Sequence, residues 1–228
     1  MKRLIHDITL PVSEDIAPWP GDAGFKLNWK RRISSGDAAN VSALSLSSHF
    51  GTHMDAPSHF IRDGITIDQI PPEIVMGPCA VLDLRPHLED DLAGADVLQQ
   101  AAGQLYTMAP SLPPRILMRT GYVPGRPFRT DFVSLAREAV DWLLQREVFL
   151  LGTDAPSIDP VDSTSHPAHR ATLESGMVLL EGLNLDGVSP GVYHLVALPL
   201  KIVDAEGSPV RAVLTDLSTG PRGGRGDM

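Results

Sequence analysis

The chain has 228 residues and a mass of 24.5 kDa, with 43% hydrophobic and 21% charged residues, which excludes a disordered chain, a coiled-coil rod and a collagen-like rod. The net charge of −9 is unfavourable for nucleic-acid binding, and no apolar run reaches the roughly 18 residues of a membrane span. The single cysteine, Cys79, is typical of a reducing compartment. We therefore expect a cytoplasmic protein whose partners are neither nucleic acid nor membrane.

Glycines and prolines divide the chain into short segments, and six of these have the composition of strands. In chain order the predicted strands are residues 4–10, 43–48, 79–84, 116–120, 148–152 and 193–199. A short helix is expected over residues 95–102. A longer one is expected over 131–146, where Phe132 and Leu135 begin an apolar stripe and Thr130 is the predicted N-cap. The pattern predicts one β-rich α/β domain over residues 1–219 and a disordered tail over 220–228.

The most informative segment is Ser48-His49-Phe50-Gly51-Thr52-His53-Met54-Asp55-Ala56-Pro57-Ser58-His59-Phe60. Its three histidines and one aspartate occupy odd positions, so in an extended chain all four side chains can share a face. The Gly51 and Pro57 positions favour a strand that runs into a loop over a helix. Imidazole and carboxylate groups without thiolates are the ligands of catalytic Zn²⁺, Mn²⁺ or Fe²⁺ sites.

A second group of metal-binding residue types lies further along the chain. It contains His166 and His169, and an acidic residue, Glu181, follows within an apolar run. A carboxylate in such a run either faces solvent or binds something buried. These three residues are therefore candidates for the ligands that the first segment lacks, and the sequence pattern leaves both histidines open.

Three other functions fit parts of the sequence besides a catalytic metal site. Residues 187–191 match the G-x-S-x-G pattern of serine hydrolases, but Pro190 follows the serine and has no N–H to donate to an oxyanion. A non-haem Fe(II) oxygenase could use His53, Asp55 and a distant histidine, but it leaves His49 and His59 without a role. A metal-binding protein without activity is the remaining alternative.

The segment from His49 to His59 resembles the H-x-G-T-H-x-D-x-P-x-H signature of the metal-dependent cyclase-like hydrolase family. Two further matches, Trp19-Pro20-Gly21-Asp22 and Leu180-Glu181-Gly182, make the chain most similar to the arylformamidases of that family. The resemblance implies a swivelling β/β/α fold, a homo-oligomer (dimer or tetramer) and two divalent ions, usually zinc, with manganese as an alternative. It implies hydrolysis of an aryl formamide, N-formyl-L-kynurenine, or of another cyclic amide or ester such as isatin.

The resemblance also implies roles for individual residues. The first metal ion would be bound by His49, His53 and Asp55, and the second by Asp55, His169 and Glu181, with both carboxylates shared. His59 would donate and accept protons, and Trp19 would line the substrate pocket. The resemblance implies His169 and not His166, because His169 lies twelve residues before Glu181, as the corresponding histidine does in the resembled enzymes.

Overall fold

The computed structural model describes residues 5–106 and 111–217. Its strands are β1 (Ile5–Asp7), β2 (Lys26–Arg31), β3 (Val41–Ser45), β4 (His53–Asp55), β5 (Met76–Asp83), β6 (Leu92–Ala93), β7 (Arg115–Arg119), β8 (Ser134–Leu135), β9 (Leu150–Thr153), β10 (Val178–Glu181), β11 (Gly191–Pro199) and β12 (Gly207–Asp216). Its helices are α1 (Pro72–Val75), α2 (Ala95–Gly103), α3 (Arg137–Leu144) and α4 (Pro167–Glu174).

Most strands belong to one mixed sheet that closes on itself. The strand order is β1-β12-β11-β5-β7-β9-β10-β4, and β4 pairs a second time with β12. Seven strands therefore form a barrel-like sheet, with β1 added at the edge of β12. The neighbours β5, β7, β9 and β10 run parallel, and the other pairings are antiparallel. The predicted β-rich α/β fold is confirmed.

The parallel strands are buried on both faces. Along β5, Ala80 and Leu82 pack in an apolar cluster with the helices, whereas Cys79 and Val81 pack in a second cluster inside the closed sheet. Strands buried on both faces read as continuous apolar runs, and for this reason β5, β7 and β9 were recognisable from their sequences.

The prediction of a helix over residues 131–146 is wrong for the first half of that range. The helix α3 begins at Arg137 with Ala136, not Thr130, as its N-cap. Ser134 and Leu135 instead form β8, which pairs with β6, and the Leu135 amide donates to the Ile158 carbonyl. Leu135 is buried because it lies in this short strand, and its distance of three residues from Phe132 fits a helix by coincidence, so the pattern did not mark where the helix starts.

The other predicted elements occur with shifted ends. The strand predicted over residues 4–10 corresponds to the shorter β1, which is followed by an isolated bridge between Thr9 and Leu183. The strand predicted over residues 43–48 corresponds to β3, which ends earlier, at Ser45. The predicted helix over 95–102 corresponds to α2. Residue 4 and the predicted tail over 220–228 lie outside the described residues. Within the described ranges, none of the helices has the length and apolar character needed to cross a membrane.

Candidate active site

Two neighbouring strands of the barrel bring together the central side chains of the site. β4 and β10 pair antiparallel, with His53 opposite Glu181. Because alternate side chains of a strand share a face, His53 and Asp55 point to one side while Met54 packs in the barrel core. His53, Asp55 and Glu181 are 3%, 1% and 4% exposed. The sheet therefore buries two carboxylates beside an imidazole.

The turn before β4 lies tightly against the end of β10. Gly182 has a φ of +62°, and a Cβ at this position would collide with the Gly51 carbonyl oxygen. The Thr52 hydroxyl donates a hydrogen bond to the Gly182 carbonyl. A glycine directly after Glu181 therefore allows the turn that carries His49 to approach the buried carboxylate.

Three further histidines reach the cluster from different elements. His49 lies in the turn before β4, His59 ends the 3₁₀ turn Pro57–His59, and His169 lies on α4 and is 4% exposed. The structure thus brings together all five residues for which the sequence predicted metal binding, His49, His53, Asp55, His169 and Glu181.

Each carboxylate presents its two oxygens to different histidines. Asp55 Oδ1 lies 2.8 Å from His49 Nδ1 and 3.3 Å from His53 Nε2, while Oδ2 lies 3.8 Å from His169 Nε2. Glu181 Oε2 lies 3.4 Å from His53 Nε2, while Oε1 lies 3.3 Å from His169 Nε2. Asp55 therefore faces three imidazoles and Glu181 faces two. In both cases the two oxygens point to different histidines, as they would in a carboxylate that bridges two ions.

Two of these oxygens are buried without a hydrogen-bond partner, Asp55 Oδ2 and Glu181 Oε1. Both face the His169 imidazole. A buried carboxylate oxygen that accepts no hydrogen bond is costly, and an ion is a common reason for finding one. The all-imidazole and carboxylate donor set suits a catalytic divalent metal, so the residues present fit such ions.

A second layer of contacts orients the imidazoles. His169 Nδ1 donates to Asp159 Oδ2 at 2.7 Å, and Asp159 also accepts the backbone N–H groups of Ala168 and His169. His53 Nδ1 donates to the Gly51 carbonyl at 3.0 Å. In both cases the proton is held on Nδ1, which leaves Nε2 facing the carboxylates. Asp159 was assigned no role from the sequence, since its contact with His169 forms only when the chain folds.

His166 occupies a different position from His169. It is the N-cap of α4 with a φ of +45°, it is only partly buried, and its ring centre lies 6.3 Å from that of His169. Unlike His169, it has no ion pair with Asp55 or Glu181 among the described contacts. His166 lines the wall of the adjoining cavity instead.

The carboxylates dominate the electrostatics of the cluster. Burial opposes protonation of His53, but its contacts with Asp55 and Glu181 raise its pKa to about 10. Burial likewise opposes protonation of His169, yet Asp159 and Glu181 raise its pKa to about 10. The cluster therefore attracts positive charge, whether carried by protons or by a metal cation.

The pKa of His59 is shifted in the opposite direction to those of His53 and His169. Burial, together with nearby His49 and His169, lowers its pKa below the ordinary 6.5. Its ring stacks on His49 with 4.1 Å between ring centres. Near neutral pH the His59 imidazole is therefore uncharged, with a nitrogen able to accept a proton.

The cluster opens into a cavity of about 470 Å³. Its wall includes Trp19, His59, Phe60 and Glu206. Glu206 Oε1 lies 3.3 Å from His49 Nε2 and accepts a hydrogen bond from Ser48, so it is an additional polar group on the wall. Trp19 and His59 therefore line the same cavity as the buried Glu181 carboxylate.

Aromatic residues to which the sequence assigned no role in the site lie against Trp19. Phe128 contacts it edge to face with ring centres 5.4 Å apart, and Phe132 lies 6.3 Å away. A narrower pocket beside the cavity is lined by Trp19, Tyr122 and Phe128. Trp19 therefore lies between the cluster of histidines and carboxylates and an aromatic wall. Residues 121–130 lack a regular pattern, so no periodic signal could have indicated this wall.

Comparisons with known proteins agree with this geometry. A family model described as "Putative cyclase" matches residues 6–160. A protein named kynurenine formamidase from Salinibacter ruber is 41% identical over 213 residues, covering 92% of this chain and 96% of that protein.

Two solved structures share the fold over most of the chain. One is titled a potential metal-dependent hydrolase with cyclase activity, with a TM-score of 0.78, 27% identity and coverage of 94% of this chain and 98% of that one. The other is isatin hydrolase A from Labrenzia aggregata bound to benzyl benzoate, with a TM-score of 0.77, 26% identity and coverage of 94% of each chain.

The closed sheet, the buried histidine and carboxylate cluster and these relatives define a hydrolase whose residues are suited to bind metal. The family match spans well over half of the sequence. The chain belongs to the cyclase family.

Proposed function

We propose that this enzyme hydrolyses N-formyl-L-kynurenine to L-kynurenine and formate with the help of two divalent metal ions. The observation that carries the proposal is the pair of buried carboxylates, Asp55 and Glu181, each facing histidines on two sides. The kynurenine formamidase that shares 41% identity with the chain supports this choice of substrate.

In this proposal His49, His53 and Asp55 would hold the first ion, and Asp55, His169 and Glu181 would hold the second. Asp55 and Glu181 would each contribute to both ions. The chemistry that such ions supply is Lewis-acid polarisation of a carbonyl oxygen and a lowered pKa for water, from about 15.7 towards 7. Asp159 and the Gly51 carbonyl keep the imidazole protons on Nδ1, so that Nε2 is free to bind.

His59 is the proton-transfer group in this mechanism. As an uncharged imidazole it accepts a proton from the attacking water, and it then donates that proton to the anilide nitrogen as the C–N bond breaks. One water is consumed, and formate and the free aromatic amine are released. Trp19, held by Phe128, offers a flat apolar surface to the aromatic ring.

Several finer features belong to the same proposal. The metal is zinc, with manganese as the alternative, and the enzyme works as a homo-oligomer in the cytoplasm. Its partner is a small molecule and not nucleic acid, which the net charge of −9 supports.

Formate release from N-formyl-L-kynurenine tests the substrate and the metal together. We expect rapid release by zinc-loaded protein and loss of release after treatment with EDTA. Isatin serves as the comparison substrate, because an isatin hydrolase shares the fold at a TM-score of 0.77. If protein that holds metal releases no formate but hydrolyses isatin, the substrate is isatin and not N-formyl-L-kynurenine.

A further inference from the structure

The wall of the active-site cavity carries a carboxylate that the proposed mechanism does not use. Glu206 lines the cavity, and its side chain is 45% exposed. A glutamate this exposed is ionised at neutral pH. Glu206 accepts a hydrogen bond from the Ser48 hydroxyl at 2.6 Å and lies 3.3 Å from His49 Nε2. Both contacts involve Oε1 and neither uses Oε2, so the second oxygen is available to a ligand in the cavity.

The closure of the barrel fixes the position of Glu206. Its carbonyl accepts a hydrogen bond from the Ala56 amide at 2.9 Å, and the next residue, Gly207, pairs with Asp55 where β12 meets β4. A Cβ at Gly207 would lie 2.7 Å from His49 Cε1, so a glycine here lets β12 approach the His49 ring. The other side of that ring contacts Asp55 through Nδ1, at 2.8 Å. Glu206 is therefore anchored one imidazole ring away from Asp55.

The wall of the cavity is anionic. Besides histidines, the ionisable side chains that line it are Asp22, Glu181 and Glu206, and no lysine or arginine among the described residues takes part. Glu181 faces the histidines of the buried cluster. The Ser47 hydroxyl donates to Asp22 Oδ2 at 2.9 Å, as the hydroxyl of the next residue, Ser48, does to Glu206. Away from the cluster the wall therefore offers negative charge, which suits a ligand with a positive group.

We propose that Glu206 binds the α-ammonium group of the substrate and thereby selects for aryl formamides that carry an amino-acid group. The inference rests on the proposed function, hydrolysis of N-formyl-L-kynurenine. In this substrate seven bonds join the formyl carbon to the ammonium nitrogen, a reach of roughly 7 Å. A molecule whose formyl group lies at the cluster can therefore bring its ammonium group to Glu206. Isatin has no ammonium group, so this contact favours the first of the two candidate substrates.

The charge of both partners determines how strongly this contact discriminates between substrates. A hydrogen bond from an ammonium group to a carboxylate is about twice as strong as one between neutral groups. Because Glu206 is half-exposed, water screens part of the attraction, so we expect the lower end of the range for charged groups, a factor of about ten in kcat/KM. The contact is remote from the bond that breaks and is made before and during the reaction. Its loss should therefore raise KM more than it lowers kcat.

The test uses two substrates that differ only in the ammonium group. These are N-formyl-L-kynurenine and its desamino analogue, 4-(2-formamidophenyl)-4-oxobutanoate. Formate release by the zinc-loaded wild type gives kcat/KM for each, and we expect a preference of about tenfold for the substrate with the ammonium group. In Glu206→Gln, whose amide oxygen can still accept from Ser48, this preference should disappear. Asp204→Asn is the control and should keep the preference, because it removes an exposed carboxylate outside the cavity at a φ of +62°, which asparagine tolerates.

The inference is overturned if Glu206→Gln keeps the wild-type preference. An equal loss of kcat/KM on both substrates is such a case, and it would show that Glu206 acts only through the His49 imidazole. A wild type that does not distinguish the two substrates would also overturn it. If the zinc-loaded wild type releases formate from neither substrate, the proposed function fails and this inference fails with it. The two failures are therefore distinguishable.

A measurement on the wild type covers the case in which Glu206→Gln loses its metal. L-Kynurenine should inhibit about ten times more strongly than 4-(2-aminophenyl)-4-oxobutanoate, its counterpart without the ammonium group. The two compounds share the ring, the ketone and the carboxylate, so the difference in inhibition reports the ammonium group alone. Equal inhibition constants would overturn the inference.

Discussion

The buried cluster of histidines and carboxylates and the β2–β3 hairpin depart from the usual distribution of residues in opposite ways. The cluster buries two carboxylates, Asp55 and Glu181, at 1% and 4% exposure, whereas the hairpin leaves Trp29 and Leu44 at 43% and 64%. Charged residues are rarely buried unless paired, and grouped large apolar residues are rarely exposed unless covered. The first departure suits a cation, since the buried carboxylates lie beside imidazoles, and the second is a surface that the described residues do not cover.

The cluster and the hairpin also differ in how the rest of the fold holds them in place. The cluster is held by the barrel itself, because β4 and β10 pair and α4 packs against the same side. The hairpin has no such support from the described residues, since β2 and β3 pair only with each other. We therefore expect substitutions in the cluster to abolish metal binding, and substitutions in the hairpin to leave metal binding intact.

The largest effect is predicted for Asp55→Ala. Because Asp55 faces His49, His53 and His169, its loss removes a ligand of both proposed ions. We expect loss of bound metal and of formate release, measured by elemental analysis and by a formate assay. A hairpin variant, Leu27→Ser with Leu44→Ser, should keep its metal. An Asp55→Ala protein with unchanged metal content would contradict the bridging role.

A smaller effect is predicted for His59→Ala. His59 supplies no ligand in the proposal, so metal content should be retained while turnover falls by about a hundredfold or more, the usual contribution of a general acid–base group. His87→Ala, a histidine outside the active-site cavity, is the control. Full activity of the His59→Ala enzyme would remove the proton-transfer assignment.

Asp159→Asn should weaken metal binding without abolishing it. The amide still fills the space, but it no longer holds the proton on His169 Nδ1 as a carboxylate does. The expected loss of metal affinity is about 10- to 100-fold, the typical effect of an outer-shell substitution, measured by competition with a chelating dye. Asp162→Asn, an exposed neighbour, should bind as the wild type does. Equal affinities for the two variants would show that Asp159 has no positioning role.

The smallest effect concerns the stability of the metal-free protein. His53 and His169 have pKa values raised from the ordinary 6.5 to about 10, so their protonated forms stabilise the folded state. This contribution is complete below pH 6.5 and is lost as the pH rises through 10. The Tm of EDTA-treated protein should therefore fall between pH 7 and 10, and less so for zinc-loaded protein. A Tm that rises in this range without metal would contradict the electrostatic account.

The sequence indicated candidate residues for the site but not how they meet. His49, His53, Asp55 and His59 were found because ligand residue types recur at odd positions within eleven residues. The meeting of β4 with β10 depends on a pairing across more than 120 residues, which no local pattern encodes. Asp159 acts through a hydrogen bond to His169 that appears only once α4 is placed.

The secondary-structure predictions were limited in the same way, because they rest on local patterns. Strands buried on both faces, such as β5, were predicted because their apolar runs are continuous. The start of α3 was misplaced because Phe132 and Leu135 are three residues apart and fit the spacing of a helix, whereas Leu135 lies in β8 through a pairing with β6 that the local pattern does not show. β2 was missed although Leu27 and Trp29 alternate with polar residues, since its basic side chains and full exposure are unlike a core strand.

The most direct test of the central claim is a zinc titration of EDTA-treated protein while formate release from N-formyl-L-kynurenine is followed. The account predicts no release at the start and a rise that ends at two equivalents of zinc per chain, because Asp55 and Glu181 are shared by two ions. Full activity of metal-free protein would contradict the metal-dependent mechanism. A plateau at one equivalent would contradict the two-ion site.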